Sequence, residues 1–410
     1  MTAHLSPPAG PAQPGGFDFQ RHAWFLSLGA VGYTRNPALL AEPRPPGTEP
    51  LFHLRMRMSE SIRAQIPGQP GAFAAAVLTG DRSGLDAGPV EDMRAANISH
   101  LLAISGLHMG LLTGFVYGVL RLGFALIPSL ALRFPIRKWA ASGALASGAF
   151  YLALSGGNVA TERAFIQVAV MLVAVMLDRR AITLRSVAIA ALVVLAHRPE
   201  TLFSPGFQMS FAATAALVSV FGALRGADWL WARPGWQKWL FALMLSSTVA
   251  GLATAPFAAA HFNRIAVYGL AANLLTVPVM GSVIIPGAVL ALILWPLGLS
   301  GPVWQVMEWG LDWILGVAAR IAALPGAVEQ VATPPGWTLG VVALSGLFVL
   351  LWQGRGRWLG GLPLLVALLS WSSAERPVLL ISEGGRLAGL WQDGARGLSR
   401  DRGAGFVAGI

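Results

Sequence analysis

Cysteine is absent, lysine occurs only as Lys138 and Lys238, and acidic residues number 19 in 410. Without cysteine there is no disulfide framework and no thiolate metal site. Charged residues make up 12%, about half their share in an ordinary soluble domain, so the chain cannot clothe a water-facing surface of the usual kind. What it has instead is apolar: 55% hydrophobic residues and a mean hydropathy of +0.62. Its apolar runs recur at lengths near the roughly 20 residues needed to cross a bilayer. These features define an integral membrane protein. The net charge of +10 comes almost wholly from arginine and suits an anionic partner or anionic lipid equally. The start, MTAHLSPPAGPAQPGG, has no basic segment followed by an apolar one, so no cleavable signal peptide is expected.

The pattern predicts an all-α polytopic membrane protein with short soluble extensions. Residues 1–58 read as a Pro-rich extension or the remnant of a small domain. Residues 59–97 read as short amphipathic helices broken at Pro67, Pro70, Gly80 and Pro89, too short to span and so interfacial. The transmembrane domain is expected over 98–371, followed by a short β-like tail over 372–410. Ten crossings are expected near 98–127, 139–155, 161–177, 184–197, 205–224, 239–260, 265–280, 283–297, 337–352 and 358–371. The segment 303–324 is interrupted by Glu308, Asp312 and Arg320. With Glu308 and Asp312 on one face beside Trp304, Trp309 and Trp313, it reads as an interfacial amphipathic helix.

Basic residues alternate between loops. Arg133, Arg137 and Lys138 fall in one, Arg179, Arg180 and Arg185 in the next but one, and Arg225, Arg233 and Lys238 two further on. The intervening loops carry at most Arg198 or Arg264. Such alternation predicts the basic loops inside. Residues 59–97 and the tail then face outward, and the remaining polar side chains collect toward the outer half of the membrane. These are His100, Ser105, Gly106 and His108 of the first span, Glu162 and Arg163 of the third, Gln208 of the fifth, His261, Asn263 and Arg264 between the sixth and seventh, and Asn273 in the seventh. Polar groups at membrane depth usually face a cavity, so together they suggest an outward-facing vestibule. Helix breaks around Gly106 and between Pro278 and Pro286 suit such a cavity.

Two other chemistries fit parts of this pattern. Ser105 and His108 stand three apart, a spacing that lets a histidine activate a serine nucleophile in an intramembrane hydrolase; no orienting acid is evident. A solute transporter would also use broken helices. No cofactor is implied.

The runs LTGDRSGL (78–85), HLLAISGLHMGLL (100–112), TERAFIQVAVML (161–172), SPGFQMSFAAT (204–214) and TAPFAAAHFNRIAVYGLAANLLTVPV (254–279) together resemble the competence domain of ComEC-type DNA-internalisation proteins. The resemblance covers about 60–300 closely and continues weakly to Trp371. It implies a bacterial inner-membrane channel that takes single-stranded DNA inward during natural transformation. Asp81 and Arg82 then join His100, Ser105, Gly106, His108, Arg163, Gln208 and Asn273 at the family's patterned positions. Full-length members resemble a three-part protein with an outer β-barrel and a metallo-β-lactamase-like nuclease domain. Here the last histidine is His261, so a nuclease is expected only in trans. Neither lysine lies in a GxxxxGK[ST] loop, so the expected partners are a separate cytoplasmic ATPase and a periplasmic DNA receptor.

Overall fold

A computed structural model describes residues 3–11, 16–35, 49–226, 234–375, 377–382, 387–392 and 395–400. Arg233 and the Pro-rich run at 41–48 lie outside them. Along the chain stand β1 (Ala3–Ser6), α1 (Phe19–Phe25), β2 (Val31–Thr34), α2 (Pro50–Gln65), α3 (Gly68–Thr79) and α4 (Ala87–Ala95). There follow α5 (Gly106–Ala125), α6 (Pro128–Arg133), α7 (Ile136–Leu154), α8 (Val159–Met176), α9 (Leu184–His197), α10 (Pro205–Ala223) and α11 (Gly235–Phe262). The last part holds β3 (Arg264–Ala266), α12 (Gly269–Val279), α13 (Ile285–Leu294), α14 (Gly301–Ala322), β4 (Val328–Gln330), α15 (Thr338–Leu351) and α16 (Gly361–Ser372), then β5 (Leu379–Ile381), β6 (Ala388–Gln392) and β7 (Ala395–Leu398). Two compact units result, one from 49–255 with 265–329 and the other from 1–48, 256–264 and 330–410.

Several helix starts are written in the sequence. Asn158, Thr183 and Ser204 accept the backbone N–H of Thr161, Ser186 and Phe207 at the starts of α8, α9 and α10, caps worth about 1 kcal/mol each. Pro70 and Pro89 do not break their helices, because both sit in a first turn where the missing N–H costs no helical bond. Nor is α3 amphipathic: every residue from Gly71 to Thr79 is buried, as expected of a helix that is apolar all round. It belongs to a core that includes Phe73, Met93, Leu101, Met280, Ile284, Met307 and Leu311.

The Asp81 loop locks onto this core. Gly80 closes α3 in the left-handed region, φ +78, and a Cβ there would lie 2.7 Å from the Ser155 carbonyl oxygen. Asp81 then accepts from the Ser59 hydroxyl at 2.5 Å and from the Ser83 N–H at 3.0 Å. From the other side of α3, the Tyr151 hydroxyl of α7 donates to the Val77 carbonyl.

The basic loops gather at one end of the larger unit. Lys138 Nζ lies 2.6 Å from Asp178, and Arg225 donates to the Ile182 carbonyl at 3.2 Å. That leaves the Arg198 connection at the opposite ends of α8 and α9.

Two expected crossings merge. Residues 269–297 form one helical element of 29 residues, because a π turn at Met280–Ile284 carries the chain past Pro286. The Ile285 N–H reaches the Met280 carbonyl, five residues back, a ladder shift that accommodates a proline which would break an α pattern. The helix expected over 303–324 is α14, and it runs antiparallel along this element throughout. A Cβ on Gly287 would lie 2.8 Å from Met307 Cγ, and one on Gly310 would lie 2.9 Å from Ile284 Cδ1. Further along, Trp313 donates to the Leu275 carbonyl and Tyr268 to that of Pro325. Trp304 is 4% exposed and packs in the core, apart from the acids, whereas Trp309 is 71% exposed. The chain therefore ends α14 beside Val267, whose N–H bonds the Ala327 carbonyl, on the side from which α12 began.

In the smaller unit β1 pairs antiparallel with β2, and β5, β6 and β7 form an antiparallel sheet in that order. The Trp371 indole donates to the Ala332 carbonyl at 2.8 Å.

Burial pushes the Asp81 carboxyl up, but hydrogen bonds from Ser59 and Ser83, with Arg63 nearby, outweigh it and hold the group below the ordinary carboxylate range. Its contribution to stability is therefore full above the unfolded pKa of about 3.9 and is lost as pH falls through the lower folded value. Asp81→Asn is expected to cost about 1–2 kcal/mol at neutral pH, read as a lower unfolding temperature in detergent, with the gap to wild type closing below about pH 4. For the helical pair, topology reporters fused after Leu299 and after Gly326 are expected to report opposite sides of the membrane; identical signals would mean that α14 does not cross.

Candidate functional site

The first span does not begin where its apolar run begins. Asn97 adopts φ +58, Ser99–Leu101 form a 3-10 turn, and α5 starts only at Gly106, with extended Ser105 preceding it. His100 and Ser105 thus stand on irregular chain at the mouth of the helix, and His108 lies on its first turn. Ser105 Oγ and His108 Nδ1 are 3.1 Å apart. His108 is fully buried, and its Nε2 has no hydrogen-bond partner. His100 is exposed.

Beside this mouth stand α8 and α10. The Arg163 guanidinium lies over the first turn of α10, where a Cβ on Gly206 would be 3.0 Å from its Nη1. A cation there sits at the positive end of a helix dipole, an arrangement that favours the arrival of an anion. One turn along α8, Gln167 is buried and donates to the Ser210 hydroxyl at 3.4 Å, and a Cβ on Gly106 would lie 3.7 Å from its Oε1. Arg163, Gln167, Gly106, Gly206 and Ser210 therefore form one polar and glycine-lined seam. Gln167 and Ser210 are the members that charge-based reading of the sequence misses, although their spacing of four from Arg163 and Gly206 marks the same helix faces.

Other candidates find partners nearby. Glu162 pairs with His197 at 2.8 Å and with Arg198 at 3.0 Å, fastening α8 to the end of α9. The Gln208 amide donates to the Leu202 carbonyl, and that of Asn273 to the Gly269 carbonyl one turn back. His261, Asn263 and Arg264 fall in the smaller unit. There Asn263, at φ +54, donates to Thr333 Oγ1 at 2.8 Å and to the Val331 carbonyl at 3.3 Å. Asp81 serves the loop lock described above, and Arg82 is exposed. Among the described residues no three His, Asp or Glu side chains gather as metal ligands.

The Glu162 pairs make the site's frame testable. Glu162→Gln with Arg198→Gln is expected to show a coupling of about 1 kcal/mol in a double-mutant cycle of thermal unfolding, since both groups are partly exposed and screened. Additive effects would mean that the pair contributes nothing to holding α8 on α9.

A family model described as "Competence protein" matches residues 77–356. The chain is 26% identical over 310 residues to ComE operon protein 3 of Bacillus subtilis, covering 73% of this chain and 36% of that protein. It is 26% identical over 350 residues to Recombination protein 2 of Haemophilus influenzae, covering 82% and 41%, and 26% identical over 332 residues to the uncharacterized protein YcaI of Escherichia coli, covering 80% and 41%. The chain thus aligns with about two fifths of the length of each relative. No solved structure matches.

Proposed function

Because the chain belongs to the competence-protein family, we propose that it takes part in DNA uptake, its transmembrane domain forming an inner-membrane channel for single-stranded DNA in natural transformation. The observation that carries this reading is Arg163, a half-buried guanidinium laid against the N-terminal turn of α10 beside a polar seam. Phosphates of an incoming strand supply the anion that such a pairing of cation and helix terminus lacks. Single-strand binding of this kind needs a positive path and tolerates any sequence. In this reading the mouth of α5 and residues 59–97 face outward with the tail, and the three arginine-bearing loops face the cytoplasm. His100, Ser105, Gly106 and His108 then form the outer lip, with Gln167 and Ser210 a step deeper. A cytoplasmic ATPase and a periplasmic DNA receptor complete the machinery.

A second reading has one geometric support, the 3.1 Å approach of Ser105 to His108. A hydrolytic relay, however, orients the imidazole by bonding its far nitrogen to an acid, and among the described residues no carboxylate bonds His108 Nε2. Transport is therefore the better account of this mouth.

The readings separate in a complemented deletion strain scored for transformation. Arg163→Glu is expected to reduce uptake by roughly tenfold or more, while Ser105→Ala stays within a few-fold of wild type. Loss of function in Ser105→Ala with Arg163→Glu unaffected would favour the hydrolase and overturn the channel assignment.

A further inference from the structure

A second polar feature lies apart from that seam, where the first turns of α2 meet the end of α7. A cleft of about 310 Å³ opens there, with Glu49, Leu51, Phe52 and Arg55 on one side and Leu154 and Gly156 on the other. Arg55 extends over Phe52, its guanidinium carbon 5.2 Å from the ring centre. The guanidinium fills the space a side chain at 156 would occupy: a Cβ on Gly156, at φ +81, would lie 2.1 Å from Nη1. Arg55 Nε is buried and has no hydrogen-bond partner.

The chemistry of the walls identifies an occupant. A guanidinium presents a planar set of donors that matches a phosphate, so an anion belongs against Arg55. The rest of the cleft is apolar apart from Glu49, and Leu51, Phe52 and Leu54 are 45%, 44% and 37% exposed beside it. A polyanionic strand would meet repulsion from Glu49 and gain nothing from the exposed leucines. An amphiphile carrying phosphate, amine and acyl chain matches all three. The position agrees, because the cleft adjoins the end of α7, an apolar helix of 19 residues, where lipid headgroups meet water.

We propose that this cleft holds an amine-bearing phospholipid. Its phosphate lies on Arg55, its ammonium faces Glu49, and its acyl chain lies along Leu51 and Leu54. The lipid thereby fastens α2, which leads into the buried helix α3, to the membrane surface at the end of α7. This assignment does not depend on the channel reading and involves none of its residues.

The test is native mass spectrometry of the full-length protein, delipidated in detergent and titrated separately with phosphatidylethanolamine, phosphatidylglycerol and a single-stranded oligothymidylate. Wild type is expected to retain one phosphatidylethanolamine in preference to phosphatidylglycerol. R55Q is expected to lose about tenfold in occupancy while keeping the wild-type unfolding temperature in detergent, and R55K to recover part of the binding. Equal retention by R55Q overturns the site. Preference for phosphatidylglycerol overturns the amine assignment, and displacement of the lipid by the oligonucleotide shows that the cleft takes nucleic acid instead. Transformation by R55Q at the wild-type level is compatible with the proposal, whereas the Arg163→Glu assay addresses the channel alone.

Discussion

A chain surrounded by hydrocarbon must find partners for its polar groups within itself, and that requirement orders most of what is polar here. Thr79, Thr113, Thr254, Thr276 and Ser282 each return their hydroxyl to a carbonyl one turn back. Asn273 does the same with its amide, and Tyr151 caps a carbonyl of the neighbouring helix α3. Against that background an incompletely satisfied group stands out. His108 Nε2 is such a group inside the helical bundle, and Arg55 Nε is one at its edge.

The helical content and the grouping of basic loops could be read from the sequence because each rests on local chemistry. Caps at Asn158, Thr183 and Ser204 mark helix starts, and apolar length marks spans. What could not be read depends on partners distant in the chain. The run GAFAAAVLT at the core of α3 looks like half of an interfacial helix until the elements that bury it are known. Pro286 looks like a break because proline ends α ladders, yet a single π turn keeps 269–297 continuous. The acids of α14 suggest a surface helix, but Gly287 and Gly310 let it lie close along the whole of α12 and α13. Residues 269–297 thus form one apolar helical element where two crossings were expected.

The candidate site was legible to a similar degree. Ser105, Gly106, His108 and Arg163 were visible because each interrupts an apolar run, and the fold places them near one another through Gln167. Glu162 was visible for the same reason, but its carboxylate joins His197 and Arg198 in fastening helix ends. Gln167 and Ser210 were not singled out because uncharged polar residues are common in spans and only the facing of α8 and α10 relates them. Asn263 and Gln208 show the limit of counting polar groups, since the Gln208 amide closes a local turn and the Asn263 amide ties its loop to Thr333 within the smaller unit.

In the proposed channel a fixed cation at the mouth has a bounded role. Carrying phosphates inward against an inside-negative potential requires roughly 2.3 kcal/mol per charge for each 100 mV crossed. Arg163 can lower the energy of a phosphate while it is bound, but whatever it contributes on entry it takes back when that phosphate moves on. Summed over a strand of many identical charges, a stationary site supplies no net work. It can only concentrate the strand, choose its charge and hold it between steps. A site suited to that task should bind each phosphate weakly enough to release it, as the partly exposed guanidinium of Arg163 would. In that proposal the direction of passage is imposed from outside the chain, by a partner that pulls or traps the strand after it has passed.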